Sequence, residues 1–215
     1  MKNNFLKIFI GAVILTFSSI ANANALEKPP KKWPCDQVYN PKLNLQSIWQ
    51  GPSIEEAIKD WWKQDDVIEV VNILSDPILP EEDGIKIIED FAKKYTYFGL
   101  IKKKEQSDKL VYMFAGLYQK AFDKRKRQYA GVIKFVERQE SIRKAISEAS
   151  KKLRQYRKEN VDIKSQKYVN ADSQLKWNRR VFDQRARLTE YVCEEPVYNT
   201  QRLGYQSRKI QTYLK

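Results

Sequence analysis

Residues 107–157, SDKLVYMFAGLYQKAFDKRKRQYAGVIKFVERQESIRKAISEASKKLRQYR, contain no proline and decide the fold. Leu110, Met113, Phe114, Leu117, Tyr118 and Ala121 recur at three- and four-residue spacings, which puts them on one face of a helix. Farther along, the apolar positions thin to Tyr129, Val132, Val136, Ile146 and Leu153, with Ile142, Ala149 and Tyr156 beside them. Val132, Ile146 and Leu153 lie multiples of seven apart, as in a coiled-coil seam, although Gln139 and Arg143 occupy seam positions. The pattern predicts one long helix that begins in a core and continues as a weak coiled coil.

A polar break at Asn160 to Ala171 separates this helix from another running to about Cys193, with Leu175, Val181, Phe182, Leu188 and Val192 as its stripe. A break this short turns the chain back on itself, so an antiparallel helical hairpin is expected. Glu195-Pro196 reads as the end of that helix and the start of a last one carrying Leu203, Ile210 and Leu214. Tyr191, Tyr198 and Tyr205 recur every seven residues, but Pro196 reads as interrupting any helix that would join them.

Upstream, Ser53-Ile54-Glu55-Glu56 has the form of a capping box, followed by Ala57, Ile58, Trp61 and Trp62 on one helical face with Ile54. A second helix, about Asp66 to Leu74, buries Val67, Val70, Val71 and Leu74, and a third carries Ile85, Ile88, Phe91, Ala92 and Tyr95 after Pro80. Residues 26–52 hold five prolines together with Trp33 and Trp49, which predicts an extended segment. The expected fold is therefore all-α: a three-helix head at 53–101, a basic hairpin with a C-terminal helix at 102–215, and a proline-rich strap at 26–52.

Residues 1–25 read as a secretory signal peptide: Lys2 and Lys7, an apolar run from Ile8 to Phe17, then Ala21-Asn22-Ala23 and Ala23-Asn24-Ala25. Cleavage near residue 23 or 25 and a periplasmic destination are expected. Export places the 2 cysteines in an oxidising compartment, so a Cys35 to Cys193 disulfide is expected, with the hairpin returning Cys193 toward the head where Cys35 can meet it.

Charge divides the chain. Residues 26–100 carry 9 Lys and Arg against 14 Asp and Glu, whereas residues 101–215 carry 29 against 13. The candidate binding surface is basic: Lys124, Arg125, Lys126, Arg127, Lys151, Lys152, Arg154, Arg157, Lys158, Arg179 and Arg180, with Arg185 and Arg187 nearby. Arginine grips phosphate or carboxylate through two parallel hydrogen bonds. After export, the expected partner is an anionic envelope component or an acidic protein, with peripheral contact at a membrane surface and no nucleic acid.

The chain has no histidine, which excludes Ser-His-Asp and Cys-His nucleophilic systems and histidine-based zinc sites. No Cys-x-x-Cys or nucleotide fingerprint is present, and Leu79 stands where a calcium loop needs an oxygen ligand. No catalytic residue, metal or cofactor is expected. Three readings follow: a non-catalytic interaction or scaffold protein, a chaperone-like holdase with basic arms, and a cell-wall glycan enzyme using head carboxylates such as Glu55, Glu56, Asp60, Glu89 and Asp90. Trp61, Trp62, Tyr95, Tyr97 and Phe98 read chiefly as core, with a sugar platform as the alternative.

Overall fold

The computed structural model describes Pro30 and residues 33–97, 100–101 and 103–214. The signal-peptide reading of residues 1–25 lies outside the described residues, as do Phe98 and the side chain of Tyr97. The fold is all-α. Short helices α1 (Leu45–Ile48) and α2 (Ala57–Asp60) lead through a 3-10 turn at Trp61–Lys63 to α3 (Asp65–Leu74) and α4 (Glu81–Lys93). Two antiparallel two-residue strands, β1 (Thr96–Tyr97) and β2 (Leu100–Ile101), turn the chain into α5 (Lys103–Lys158). Helices α6 (Gln166–Ala186) and α7 (Thr189–Gln211) complete it.

Helix α5 has 56 residues, which at 1.5 Å per residue makes it about 84 Å long. It is paired antiparallel by α6 and then α7. Leu153 packs with Ala171 and Leu175 near the turn, and Gln139 donates to the Phe182 carbonyl at 3.4 Å. Closer to the head, Gln128 donates to the Glu195 carbonyl and Asn199 to the Ala121 carbonyl.

Helix α5 ends in a Schellman-type turn. Asn160, at φ 53°, takes the left-handed position that asparagine tolerates. Its N–H bonds to the Arg157 carbonyl, and that of Val161 to the Tyr156 carbonyl. The break is shorter than its polar composition suggests, because Ala171 already lies in α6 with its methyl group buried.

The second expected boundary is also displaced. The chain breaks at Arg187–Leu188, and Pro196 sits buried inside α7. A proline removes one helical N–H and strains the preceding turn. Tertiary bonds support that turn here: Gln37 donates its amide to the Cys193 carbonyl, and Arg125 donates to the Pro196 carbonyl. Tyr191, Tyr198 and Tyr205 consequently share one helix, the first two exposed and the third buried.

Ser53 and Glu56 do not form a reciprocal capping box. Ser53 Oγ accepts from the Glu55 N–H at 3.3 Å, while the Glu56 carboxylate pairs with Lys59 at 2.8 Å. The following helix lasts one turn before tightening to 3-10 geometry, which has three residues per turn. This rotation buries Trp61, whose Nε1 donates to Gln119 at 2.6 Å, and leaves Trp62 exposed rather than on the inner stripe.

One continuous core contains Ile54, Leu74, Ile88 and Phe91 from the head, Leu110, Met113 and Phe114 from α5, and Leu203 and Ile210 from α7. The boundary at residue 101 therefore separates elements, not cores. Trp49 stacks on Phe114 with ring centroids 3.9 Å apart, which sews the strap into this core. At Gly116 a Cβ would lie 2.8 Å from Trp61 and 3.0 Å from Val71, so glycine there lets α5 approach the head closely.

Candidate functional site

Cys35 and Cys193 form the expected disulfide, with Cα atoms 5.5 Å apart. Around it the strap is fastened by aromatic and polar contacts. Trp33 stacks on Tyr129 at 5.3 Å, and Tyr39 meets both rings edge-on.

Arg125 is the centre of this junction. Its place in the run Lys124 to Arg127 predicts an exposed cation, but only 9% of it is accessible. Its Nε and Nη2 donate to the Asn40 carbonyl at 3.0 and 2.6 Å, and its Nη1 to Thr200 Oγ1 and the Pro196 carbonyl at 2.7 and 2.9 Å. Nη2 also donates to the Tyr129 hydroxyl at 3.0 Å. Burial pulls its pKa down from the ordinary arginine value, but arginine keeps its proton in proteins. The residue joins strap, α5 and α7, and is withdrawn from partner binding. A signal for this was present in the stripe Ala121, Arg125, Tyr129 and Val132, whose helical spacing puts Arg125 on an inward face.

The remaining cations fall into three separate places along the hairpin. At its base, Lys120, Lys124 and Arg127 project from one flank of α5 toward Arg202, around a cleft of about 360 Å³ floored by Leu117 and Leu203. Arg202 is committed to the loop after α3, donating to the carbonyls of Asp76, Pro77 and Leu79 at 2.6, 2.7 and 3.1 Å. Lys120 bonds Asn72. Lys124 and Arg127 keep no hydrogen-bond or ion-pair partner among the described residues, and Lys126 points outward.

Midway along α6, Arg179 and Arg180 are exposed. They lie about 20 Å from the first residue of that helix, at 1.5 Å per residue. Arg185 does not join them, because its guanidinium stacks over Phe135 of α5 at 4.6 Å. Arg187 is exposed at the break between α6 and α7.

The third group surrounds the hairpin turn. Lys151, Lys152, Arg154, Arg157 and Lys158 are all exposed on the last turns of α5, and Lys164 and Lys167 face solvent just across the turn. From 151 to 167 the chain holds seven Lys and Arg against two Asp and Glu. Lys152 and Lys167 lie over the Tyr156 ring at 5.8 and 5.5 Å, and Arg157 donates to the Tyr168 hydroxyl at 3.4 Å. Lys151, Arg154 and Lys158 have no ion-pair partner among the described residues. The expected single basic surface is thus a base cleft, a mid-arm pair and a dense tip.

Four of the five candidate head carboxylates, Glu56, Asp60, Glu89 and Asp90, are paired with lysines. Glu56 pairs with Lys59, Asp60 with Lys63 at 2.6 Å, and Glu89 with Lys209 and Lys93. At Asp66, burial raises the carboxyl pKa, but hydrogen bonds from Lys109 and Tyr95 and the Lys109 charge outweigh it and hold the group below the ordinary value. Glu89 is held low by the Lys209 hydrogen bond. These shifts favour the anion, opposite to what a proton-donating carboxylic acid needs at neutral pH.

The described aromatics of this set, Trp61, Trp62 and Tyr95, do not form one platform either. Trp61 is buried, Trp62 is exposed with Lys63 over its ring, and Tyr95 donates to Asp66 at 2.6 Å. Among the described residues no group of three or more His, Cys, Asp or Glu side chains is placed to hold a metal ion. No described helix is long and apolar enough to cross a membrane. No family model matches the chain, and no curated protein or solved structure matches it significantly, so the functional reading rests on these residues alone.

Proposed function

We propose that this is an exported, periplasmic interaction protein whose basic helical hairpin, a short coiled coil, binds an anionic envelope component or an acidic partner protein without catalysis. The observation that carries the reading is the set of exposed, unpaired cations at the hairpin tip, held on a helix about 84 Å long away from the lysine-paired carboxylates of the head. Surface cations without carboxylate neighbours retain a positive field that draws and orients anions. Retention on an immobilised soluble polyanion, measured across a salt gradient, tests it. Elution should shift to markedly lower salt in Lys151→Glu/Lys152→Glu/Arg154→Glu and less in Lys124→Glu/Arg127→Glu. Elution of the unaltered protein at the lowest salt would defeat the reading.

A holdase reading draws on a different feature, the apolar side chains on the hairpin exterior. Val169, Trp177, Leu188 and Tyr191 are all exposed there, and scattered apolar groups on a basic arm can hold unfolded chains. Suppression of aggregation of an unfolded outer-membrane protein, lost in Trp177→Ser/Tyr191→Ser, would favour it over the first reading.

A further inference from the structure

We propose that the hairpin tip is a membrane-surface anchor: Ile163 enters the boundary between headgroups and acyl chains of an anionic bilayer, while the surrounding cations bind lipid phosphates. The inference rests on the reading that the basic hairpin meets an anionic envelope partner, and names that partner as a lipid surface.

Ile163 stands at the apex of the turn with 65% of its surface exposed. The turn that presents it is internally bonded. Asp162 accepts from the Lys164 N–H at 2.9 Å through its carboxylate, and from the Ser165 N–H at 3.0 Å through its carbonyl. The Ser165 hydroxyl donates to that same carbonyl. On the other side the Schellman-type bonds of Asn160 and Val161 close α5. A large apolar side chain is therefore held mostly in solvent by an internally bonded loop.

Position supplies the second argument. Arg157, Lys158, Lys164 and Lys167 are exposed within two helical turns of Ile163, on both strands of the hairpin. An apolar point inside a cationic collar matches the layering of an anionic bilayer, where phosphates lie just outside the acyl boundary. A soluble polyanion or an acidic protein face would use the collar but offers no apolar layer to the isoleucine. Val169, on the first turn of α6, is also exposed. The two carboxylates of the tip, Glu159 and Asp162, keep their charge but do not reverse the field, because seven Lys and Arg stand against them between residues 151 and 167.

Co-sedimentation of the whole disulfide-bonded chain with vesicles of phosphatidylglycerol and phosphatidylcholine, against phosphatidylcholine alone, tests the inference. Binding should require the anionic lipid and fall steeply with salt. Ile163→Ser should weaken vesicle binding about tenfold or more, from the lost transfer of one isoleucine side chain, and leave retention on a soluble polyanion unchanged. Ile163→Trp should restore vesicle binding, because tryptophan suits the interface. Unaltered vesicle binding by Ile163→Ser would overturn the anchor while leaving the anionic-partner reading intact. So would capture of an acidic protein by a chain that ignores anionic vesicles. Failure to bind vesicles and polyanion alike would overturn both. Unchanged amide exchange around Leu153 and Leu175 in the Ile163 variants confirms that a folded tip was tested.

Discussion

The head end and the turn end of the hairpin are built from the same helix but on different physical terms. At the head end α5 contributes Leu110, Met113, Phe114 and Leu117 to a continuous core, closed by α3, α4 and α7 and strapped by Trp49 and the disulfide. At the turn end the buried cluster is Leu153, Ala171 and Leu175, with Ile146, Ala149, Tyr156 and Tyr168 partly covered. Where two helices face each other alone, each can bury only one narrow stripe, and the rest of its circumference meets water. Stability is thus concentrated at one end, and the other is left free to carry charge. Amides of the turn end should exchange with solvent through openings of lower free energy than those of the core around Phe114.

The largest expected effect comes from untying the strong end. Cys35→Ser with Cys193→Ser opens a loop of 158 residues and should lower unfolding free energy by up to about 5 kcal/mol in denaturant titration. A loss under about 1 kcal/mol would mean that the strap is held by its aromatic and polar contacts alone.

Phe114→Ala should cost about 4 kcal/mol, near the upper range for a fully buried aromatic, whereas Leu175→Ala in the thin cluster should cost about 2 kcal/mol. Equal losses would contradict the asymmetry. Arg125→Met keeps the apolar stem but leaves the Asn40 carbonyl without its donor and removes the bonds to Pro196, Thr200 and Tyr129, for an expected cost of about 3 kcal/mol. Lys126→Met, one residue along and exposed, should stay within about 0.5 kcal/mol.

The smallest effect is pH-dependent. The Asp66 carboxyl has a folded pKa below its ordinary value, so its contribution is present above the unfolded carboxylate pKa and lost as pH falls through the lower folded one. Asp66→Asn should therefore lower Tm at pH 6, with the difference from the unaltered protein closing toward pH 2. A constant difference across that range would show that Asp66 acts through packing alone.

Much of the architecture could be read from residue order because its signals are local. The core stripe of α5, the stripe of α4 and the turn between α5 and α6 follow from spacing that involves only neighbours along the chain. The boundaries that shifted depend on distant partners. Pro196 reads as a helix break until Gln37 and Arg125 are found bonding the carbonyls around it. Trp62 reads as core until the 3-10 turn rotates it outward. Arg143, at a seam position by heptad spacing, is exposed and pairs with Glu140 at 2.6 Å. An ideal helix drifts away from a strict seven-residue repeat, and no run of apolar residues holds that seam in register here.

The candidate site was legible in kind but not in arrangement. Residue types alone identified a basic hairpin, and the run Lys124 to Arg127 looked uniform because charge is counted without direction. A helix turns each successive side chain by about 100°, so four adjacent cations face four ways, and one of them became the buried fastening of the strap. Ile163 drew no notice in the sequence, since a single apolar residue in a polar loop carries no period.

The sequence by itself determined the all-α class, the helical hairpin, the pairing of its two cysteines and the separation of acidic from basic halves, all properties set by composition or short-range spacing. Tertiary structure alone decided which cations face solvent, that head and hairpin share one core, and that an isoleucine crowns the tip. Those outcomes depend on which surfaces meet across the fold, where burial and hydrogen-bond satisfaction outweigh local preference.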